Sequence, residues 1–515
     1  MRTVFPALVL SGVGFSAYAQ NLGQWSETIT LPNIPISIAV LPNKKVLTWS
    51  ANDLYTFAGD VGTTPTPTLN SLYTLSSGMI VAAEDTGLMA DMFCSGISML
   101  PDGRLLVNGG SSSLHTGIYD FVTNTWSDAA PMNIARGYNA SVTLSTGDVF
   151  TIGGSWSGDG NPKDGELWSS STGWQLTGIS VNTILSPDLA DEALGYVMYG
   201  DNHPWLFAMQ NGRVFHAGPS TQMNWFDPAN GTATPAGNRG DDTYSLNGIA
   251  VMYEPGKIFK TGGAPTYTGL SNLVPGVVSA TNSTYIIDIT QDYTDPTAAP
   301  VVTKIAPIHY PRAFANGVVL PDGKVFIVGG QTQPVVFTDL NAVMTPEIWD
   351  PATATTIDVA QMVTPRDYHS TALLLPDGRV FSGGGGQCGE GCPGNHFDFE
   401  FYSPPYLFDA DGSPATRPVI SAAPSTLVLN QELTVSVNEP VTSFVLIRMA
   451  ATTHTIDTDQ RRIPLGIGGI NADGSWSLQV PSDPGITVPG YYMLFALDAN
   501  NVPSVAKIIL VEASS

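Results

Sequence analysis

Between Pro42 and Gly384 the chain repeats one short pattern of polar and apolar positions. A polar turn, usually carrying Asp-Gly or Asn-Gly, leads into a few β-branched or aromatic residues, and most copies end on a pair of glycines. The pattern first reads Pro42-Asn43-Lys44-Lys45-Val46-Leu47-Thr48-Trp49, and then, more completely, Pro101-Asp102-Gly103-Arg104-Leu105-Leu106-Val107-Asn108-Gly109-Gly110. Further copies run from Thr146 through Val149-Phe150 to Gly154 and from Asn211 through Val214-Phe215 to Gly218. The last three run from Gly256 through Ile258-Phe259 to Gly263, from Asp322 through Val325-Phe326 to Gly330, and from Asp377 through Val380-Phe381 to Gly384. Each apolar run is too short for a helix. Turn residues on one side and glycines on the other predict strands joined as hairpins.

The turn glycines Gly103, Gly147, Gly212, Gly256, Gly323 and Gly378 are 44, 65, 44, 67 and 55 residues apart. Such spacing lies near the kelch period of about 50 residues, with insertions between blades. Seven copies predict a closed seven-bladed propeller over residues 20–402, its axis lined by the innermost strands. The rival fold is a β-sandwich with chance internal similarity. From Tyr402-Ser403-Pro404-Pro405-Tyr406 the rhythm changes, and a linker rich in Pro and Asp runs to Pro418. Alternating runs follow, among them Leu433-Thr434-Val435-Ser436-Val437, Ser443-Phe444-Val445-Leu446-Ile447 and Tyr491-Tyr492-Met493-Leu494-Phe495. They predict an immunoglobulin-like sandwich over residues 403–515. The fold class is thus all-β.

Composition narrows the setting. A formal net charge of -24 argues against nucleic acid or an anionic membrane as partner, because either would repel the chain. Only 12% of residues are charged, while Gly 53 and Pro 39 are plentiful, which suits a turn-rich monomeric β-protein. Met1-Arg2, an apolar run from Val4 to Phe15 and Ala17-Tyr18-Ala19 form a secretory signal over residues 1–19, so the protein is expected outside the cell. In that oxidising setting Cys388 and Cys392 make the natural disulfide and leave Cys94 alone. A solitary secreted thiol is either a small buried hydrophobe or a chemical group. Asn230-Gly231-Thr232 and Asn282-Ser283-Thr284 are candidate N-glycan sites.

Arg366-Asp367-Tyr368-His369 stands immediately before the strand-like Leu373-Leu374-Leu375. Neighbouring side chains in a strand point to opposite faces, so Tyr368 and His369 can converge on one ion only at a strand end or in a loop. Four other stretches join this pair: Asp91-Met92-Phe93-Cys94-Ser95-Gly96; Ala135-Arg136-Gly137-Tyr138 followed by Gly153-Gly154-Ser155-Trp156-Ser157-Gly158; Gly384-Gly385-Gly386-Gln387-Cys388 through Asn395-His396-Phe397-Asp398; and Thr453-His454-Thr455-Ile456 with Thr458-Asp459-Gln460-Arg461-Arg462. Taken in chain order, the five stretches resemble the galactose oxidase branch of the copper radical oxidases. The resemblance begins near Trp25, so the carbohydrate-binding domain that precedes the propeller in galactose oxidase itself is not expected here.

The resemblance implies one copper ion held by Tyr138, Tyr368, His369 and His454, an N,O set that suits Cu(II). It implies a thioether between Cys94 and the Tyr138 ring, giving a protein-derived radical cofactor, with Trp156 stacked over it. The implied reaction takes a primary alcohol and O2 to an aldehyde and H2O2, with Tyr368 as proton acceptor. His115, His203, His216, His309 and His396 fall outside the ligand set and read as structural or exposed.

The chain also departs from galactose oxidase. Tyr199, in Met198-Tyr199-Gly200-Asp201-Asn202-His203, replaces an arginine that contacts sugar hydroxyls, and Tyr267-Thr268 replaces Tyr-Gln. Phe57 and Phe337 match aromatic positions of the pocket. The substrate pocket expected from Phe57, Tyr199, Tyr267, Thr268 and Phe337 favours aryl, furanic or other non-sugar alcohols. A galactose-type oxidase and a glyoxal oxidase are the rivals within the class, and a secreted kelch module that only binds a partner is the rival outside it.

Overall fold

The structure is a computed structural model that describes residues 22–57, 66–185, 200–269, 278–295 and 297–514. The expected signal segment lies outside the described residues. Among those residues the elements are β-strands and short 3-10 turns such as Thr290–Tyr293.

Seven antiparallel sheets form the propeller, and in six of them the first strand of the blade in sequence lies toward the axis, while in the last blade Ser370–Leu374 does so. These inner strands are Ser37–Val40, Gly96–Met99, Ala140–Thr143, Trp205–Ala208, Ile249–Glu254, Asn316–Val319 and Ser370–Leu374. The repeated apolar runs of the sequence become the second strands, as in Leu105–Asn108 and Val325–Val328, where every residue is buried. The turn before each of these runs needs a left-handed residue. Gly103, Gly147, Gly323 and Gly378 supply it with φ between 82° and 89°, and Lys44 takes the same region in the first blade with φ 61°.

The last blade borrows its outer edge from the start of the chain. Gln24–Trp25 and Ile29–Thr30 pair with Asp398–Ser403, in the registers Trp25 with Tyr402 and Ile29 with Phe399. That closure removes a free sheet edge and joins the two ends of the ring.

The C-terminal part packs a four-stranded sheet (Ile420–Ala422, Leu433–Val437, Trp476–Gln479, Gly466–Ile470) on a five-stranded one built around Gly490–Leu497 and Ser443–Arg448. Leu433, Val435, Phe444, Leu446, Leu478, Leu494 and Ile509 fill its core. One hairpin leaves this sandwich and enters the propeller axis. Ala451–Thr453 adds to the first blade beside Ser37–Val40, with Ser37 opposite Thr453. Beyond the turn, Thr458 donates to Ser141 O, Asp459 accepts from Met99 N at 2.8 Å, and Gln460 accepts from Val319 N and donates to Gly317 O at 3.2 Å. Arg461 donates to Ala208 O at 3.1 Å, and Thr455 to Gly248 O at 3.5 Å. The hairpin is therefore tied to six of the seven blades.

Two stability outcomes follow from buried charge. Asp459 forms a buried ion pair with Arg448, so Asp459→Ala leaves a buried guanidinium unpaired and is expected to cost about 3–5 kcal/mol in denaturant unfolding. His216 is fully buried, and its Nε2 has no hydrogen-bond partner. Burial, aided by the nearby Arg239 charge, pushes it down to about 3. An unfolded histidine titrates near 6.5, so this contribution is fully present above that pH and is lost as pH falls toward 3. The slope of stability against pH over this window should be shallower in His216→Gln than in the wild type; equal slopes would contradict the assignment.

Candidate metal centre

A ring of strained residues surrounds the propeller axis. Cys94, Tyr138, His203, Asn247, Phe314 and His369 all have positive φ, at 61°, 65°, 53°, 51°, 66° and 122°. Each stands nine residues before the turn glycine of its own blade, from Gly103 to Gly378. Tyr138 N donates to Cys94 O at 2.9 Å, His203 N to Tyr138 O at 2.8 Å and Phe314 N to Asn247 O at 3.0 Å, so successive blades are stitched at this level. A non-glycine residue held there costs on the order of 1–3 kcal/mol, and clusters of such residues mark functional sites. Here the repeat itself delivers the side chains.

Four of these six positions build one buried cluster with the axial hairpin. The Cys94 Sγ lies 3.2 Å from His454 Nε2, and the donor atoms of Cys94, His369 and His454 all fall within 4.8 Å of one another. The Cys94 thiol is also in hydrogen-bonding contact with the Tyr138 phenol. Tyr138 and Tyr368 share a hydrogen bond between their hydroxyls. His369 leaves the ordinary strand conformation immediately before Ser370–Leu374, and its ring centroid lies 3.8 Å from that of Tyr368. The two adjacent side chains thus converge at a strand end.

The histidine tautomers follow from their partners. Gly386 O can only accept, so His369 Nδ1 carries the proton of that 2.6 Å bond. Its Nε2 is then a lone pair, buried and without a partner. Thr453 Oγ1 donates to Ile36 O at 3.1 Å, so His454 Nδ1 donates to Thr453 Oγ1 at 2.7 Å and its Nε2 is likewise free to ligate. Outer partners that fix the tautomer are a mark of metal-binding imidazoles. Burial pushes His369 down to about 3 and His454 well below the usual range, and pushes Tyr138, Tyr368 and Cys94 up. Burial thus favours the neutral form of each donor. Such a chamber of imidazole and phenol donors fits a cupric ion, whose charge draws nearby phenols toward phenolate.

An aromatic shell leads outward. Trp156 stacks on Tyr138 with centroids 4.9 Å apart and planes 20° apart. Its loop is held by Ser155, whose Oγ donates to Asp201 Oδ2 at 2.6 Å and whose N donates to Asn202 Oδ1 at 3.1 Å. Phe57 stacks on Phe93 at 4.3 Å and lies 6.2 Å from Phe337, which meets Tyr368 edge-on at 5.1 Å. Tyr267 lies 5.9 Å from Tyr368. Thr268 belongs to the short strand Thr268–Gly269, which pairs in parallel with Val335–Val336 and so sits beside the Phe337 loop. Tyr199 lies outside the described residues. Cys388 and Cys392 are disulfide-bonded, and Cys94 is free and buried.

His203, read from the sequence as lying outside the ligand set and structural or exposed, proves to be buried against the site. It is buried, packs on the Tyr138 ring at 4.4 Å and lies parallel to His454 at 5.2 Å. The signal that finds it is its offset of nine from Gly212, shared with Cys94, Tyr138 and His369. His216 is buried in a blade, while His115, His309 and His396 pair with Asp128, Asp358 and Asp339 away from the cluster.

Residues 417–511 match the family model described as galactose oxidase-like, Early set domain. The chain is 41% identical to a galactose oxidase of Gibberella zeae over 514 residues, which is 98% of this chain and 72% of that protein. It is 25% identical to an aldehyde oxidase of Vitis pseudoreticulata over 461 residues, covering 82% of each. Among solved structures, a fungal alcohol oxidase in complex with copper superposes with a TM-score of 0.88 at 39% identity, covering 96% of this chain and all of that one. On these grounds the chain belongs to the galactose oxidase family.

Proposed function

We propose that this protein is a secreted copper radical alcohol oxidase that converts aryl, furanic or other non-sugar primary alcohols to aldehydes and reduces O2 to H2O2. The observation that carries the proposal is the meeting of a buried free thiol, two phenols and two imidazoles with outward lone pairs in one uncharged chamber. A kelch module that only bound a partner would gain nothing from burying His369 Nε2 without a hydrogen bond.

His369, His454, Tyr138 and Tyr368 would hold the ion. When bound, copper supplies a Lewis-acidic position for the alcohol oxygen and a one-electron acceptor. Cys94 joins the Tyr138 ring, where electron donation by sulfur makes the ring easier to oxidise. Tyr368 takes the hydroxyl proton, and burial alone would oppose its ionisation. Tyr138 takes the hydrogen of the carbinol carbon, while the stacked Trp156 keeps water from its ring. The overall change is RCH2OH + O2 to RCHO + H2O2.

The substrate reading rests on the half-buried aromatic mouth of Phe57, Trp156 and Phe337, and on Tyr199 in place of a forked cationic donor. A galactose-type oxidase is the second reading, favoured by the name of the Gibberella zeae relative. We further take the protein to act as a monomer on small molecules, with no nucleic-acid or membrane partner. Among the described residues no helix is long and apolar enough to cross a membrane. Asn230 is exposed and open to an N-glycan, whereas the Asn282 amide donates to Ile308 O at 2.9 Å.

The test is kcat/KM for galactose against benzyl alcohol, with and without Tyr199→Arg. Wild type should favour benzyl alcohol. Restoring a charge-assisted donor should move the ratio toward galactose by roughly one to two decades. A wild-type preference for galactose, or an unmoved ratio in the variant, would overturn the substrate reading. His454→Ala should lose copper by elemental analysis while the sandwich stays folded; full copper retention would refute its place among the ligands.

A further inference from the structure

The two outer aromatics of the pocket arrive on loops from different blades. Phe57 follows the second strand of the first blade, and Phe337 follows Val335–Val336. The segment Gly386–Asn395 lies against both loops. On one side the Gln387 Nε2 donates to Asp53 O and to Thr56 O, each at 2.8 Å, and Gly389 N donates to Tyr55 O at 2.8 Å. On the other side Cys392 Sγ lies 3.8 Å from Phe337 O, and an added Cβ at Gly394 would meet the Phe337 carbonyl at 3.5 Å.

Gln387 is built in rather than lodged there. It is fully buried, holds φ 70°, and donates its backbone N–H to Asn395 Oδ1 at 2.8 Å. Asn395 Oδ1 also accepts from Cys388 N at 3.0 Å, and its Nδ2 donates to Gly389 O at 2.7 Å. Both amide hydrogens of Gln387 are thus spent on the loop that carries Phe57, while its Oε1 has no partner. A buried orphan acceptor is a cost, and it marks a side chain selected for its donors. The next residue back, Gly386, accepts the Nδ1 proton of His369. Adjacent residues therefore orient a candidate ligand and the mouth of the pocket.

We propose that Gln387 is a specificity-determining positioning residue. By fixing the Asp53–Phe57 segment it holds the Phe57 ring parallel to Phe93 and beside Phe337, so that a flat aryl alcohol has a preformed face to stack on. This rests on the oxidase reading above. It predicts selection between aryl and small alkyl alcohols, which is separate from selection between aryl alcohols and galactose.

The experiment is a cycle of Gln387→Met and Phe57→Ala in copper-loaded enzyme, with benzyl alcohol and ethanol as substrates. Loss of two amide donors should lower kcat/KM for benzyl alcohol about tenfold, mainly through KM, and change that for ethanol by less than about twofold. Copper content and the fraction of joined Cys94–Tyr138 should match the wild type. In the Phe57→Ala background, Gln387→Met should no longer move the benzyl alcohol to ethanol ratio. Gln387→Leu, close in volume and without polar hydrogens, should behave as the Met variant does and serves if that variant fails to fold. Equal losses on both substrates, loss of copper, or an effect that persists without Phe57 would overturn the proposal. A wild type that prefers galactose to benzyl alcohol would sink only the earlier substrate reading, since this cycle reads a different ratio.

Discussion

The axial hairpin from Ala451 to Arg461 is the interaction on which the rest depends. A propeller blade touches only its neighbours, so seven sheets alone leave the axis as a channel. Side chains of the hairpin fill that channel and bond backbone groups of the inner strands, from Met99 N and Ser141 O to Gly317 O. Those bonds fix His454 against residues that lie far away in sequence, as the Cys94 to His454 contact shows. The sandwich is thus part of the site, which explains why a fold change after Tyr402 is followed by the last of the candidate ligands.

Electrostatics gives the chamber its character. Desolvation favours unprotonated imidazoles and un-ionised phenols, so the donor set itself is uncharged. Positive φ at Cys94, Tyr138 and His369 stores backbone strain at the same place. Both costs are met by the packed blades and by the closure of the ring through Trp25 and Tyr402. A buried, uncharged donor set held by packed blades suits one-electron chemistry at a phenol, because preorganised surroundings leave little to reorganise as the electron leaves.

Much of this was legible in the residues. The turn glycines marked the blades, because a left-handed turn position admits few other residues, and the alternating runs after Pro418 marked the sandwich. Cys94, Tyr138, Trp156, Tyr368, His369 and His454 were found as stretches, and the structure brings them together. His203 reads as structural from its residue type alone, and its place beside Tyr138 shows only in the offset of nine that it shares with the residues of the site. Gln387 stood in a quoted stretch, but its role lies in two hydrogen bonds to Asp53 O and Thr56 O that no local pattern reveals. The pocket remains the least legible part, since its walls come from separate loops whose approach depends on tertiary contacts.

The central claim is that Cys94 and Tyr138 are placed to become one group around a copper ion. Forming the thioether removes the thiol hydrogen and one ring hydrogen, and the pair of electrons and protons passes to O2. The direct measurement is the intact mass and peptide map of metal-free protein before and after Cu(II) and O2 are added. The account predicts the loss of one further pair of hydrogens, mapped to Cys94 and Tyr138, beyond those already lost at Cys388 and Cys392. An alkylatable Cys94 thiol in protein that is turning over alcohol would contradict it.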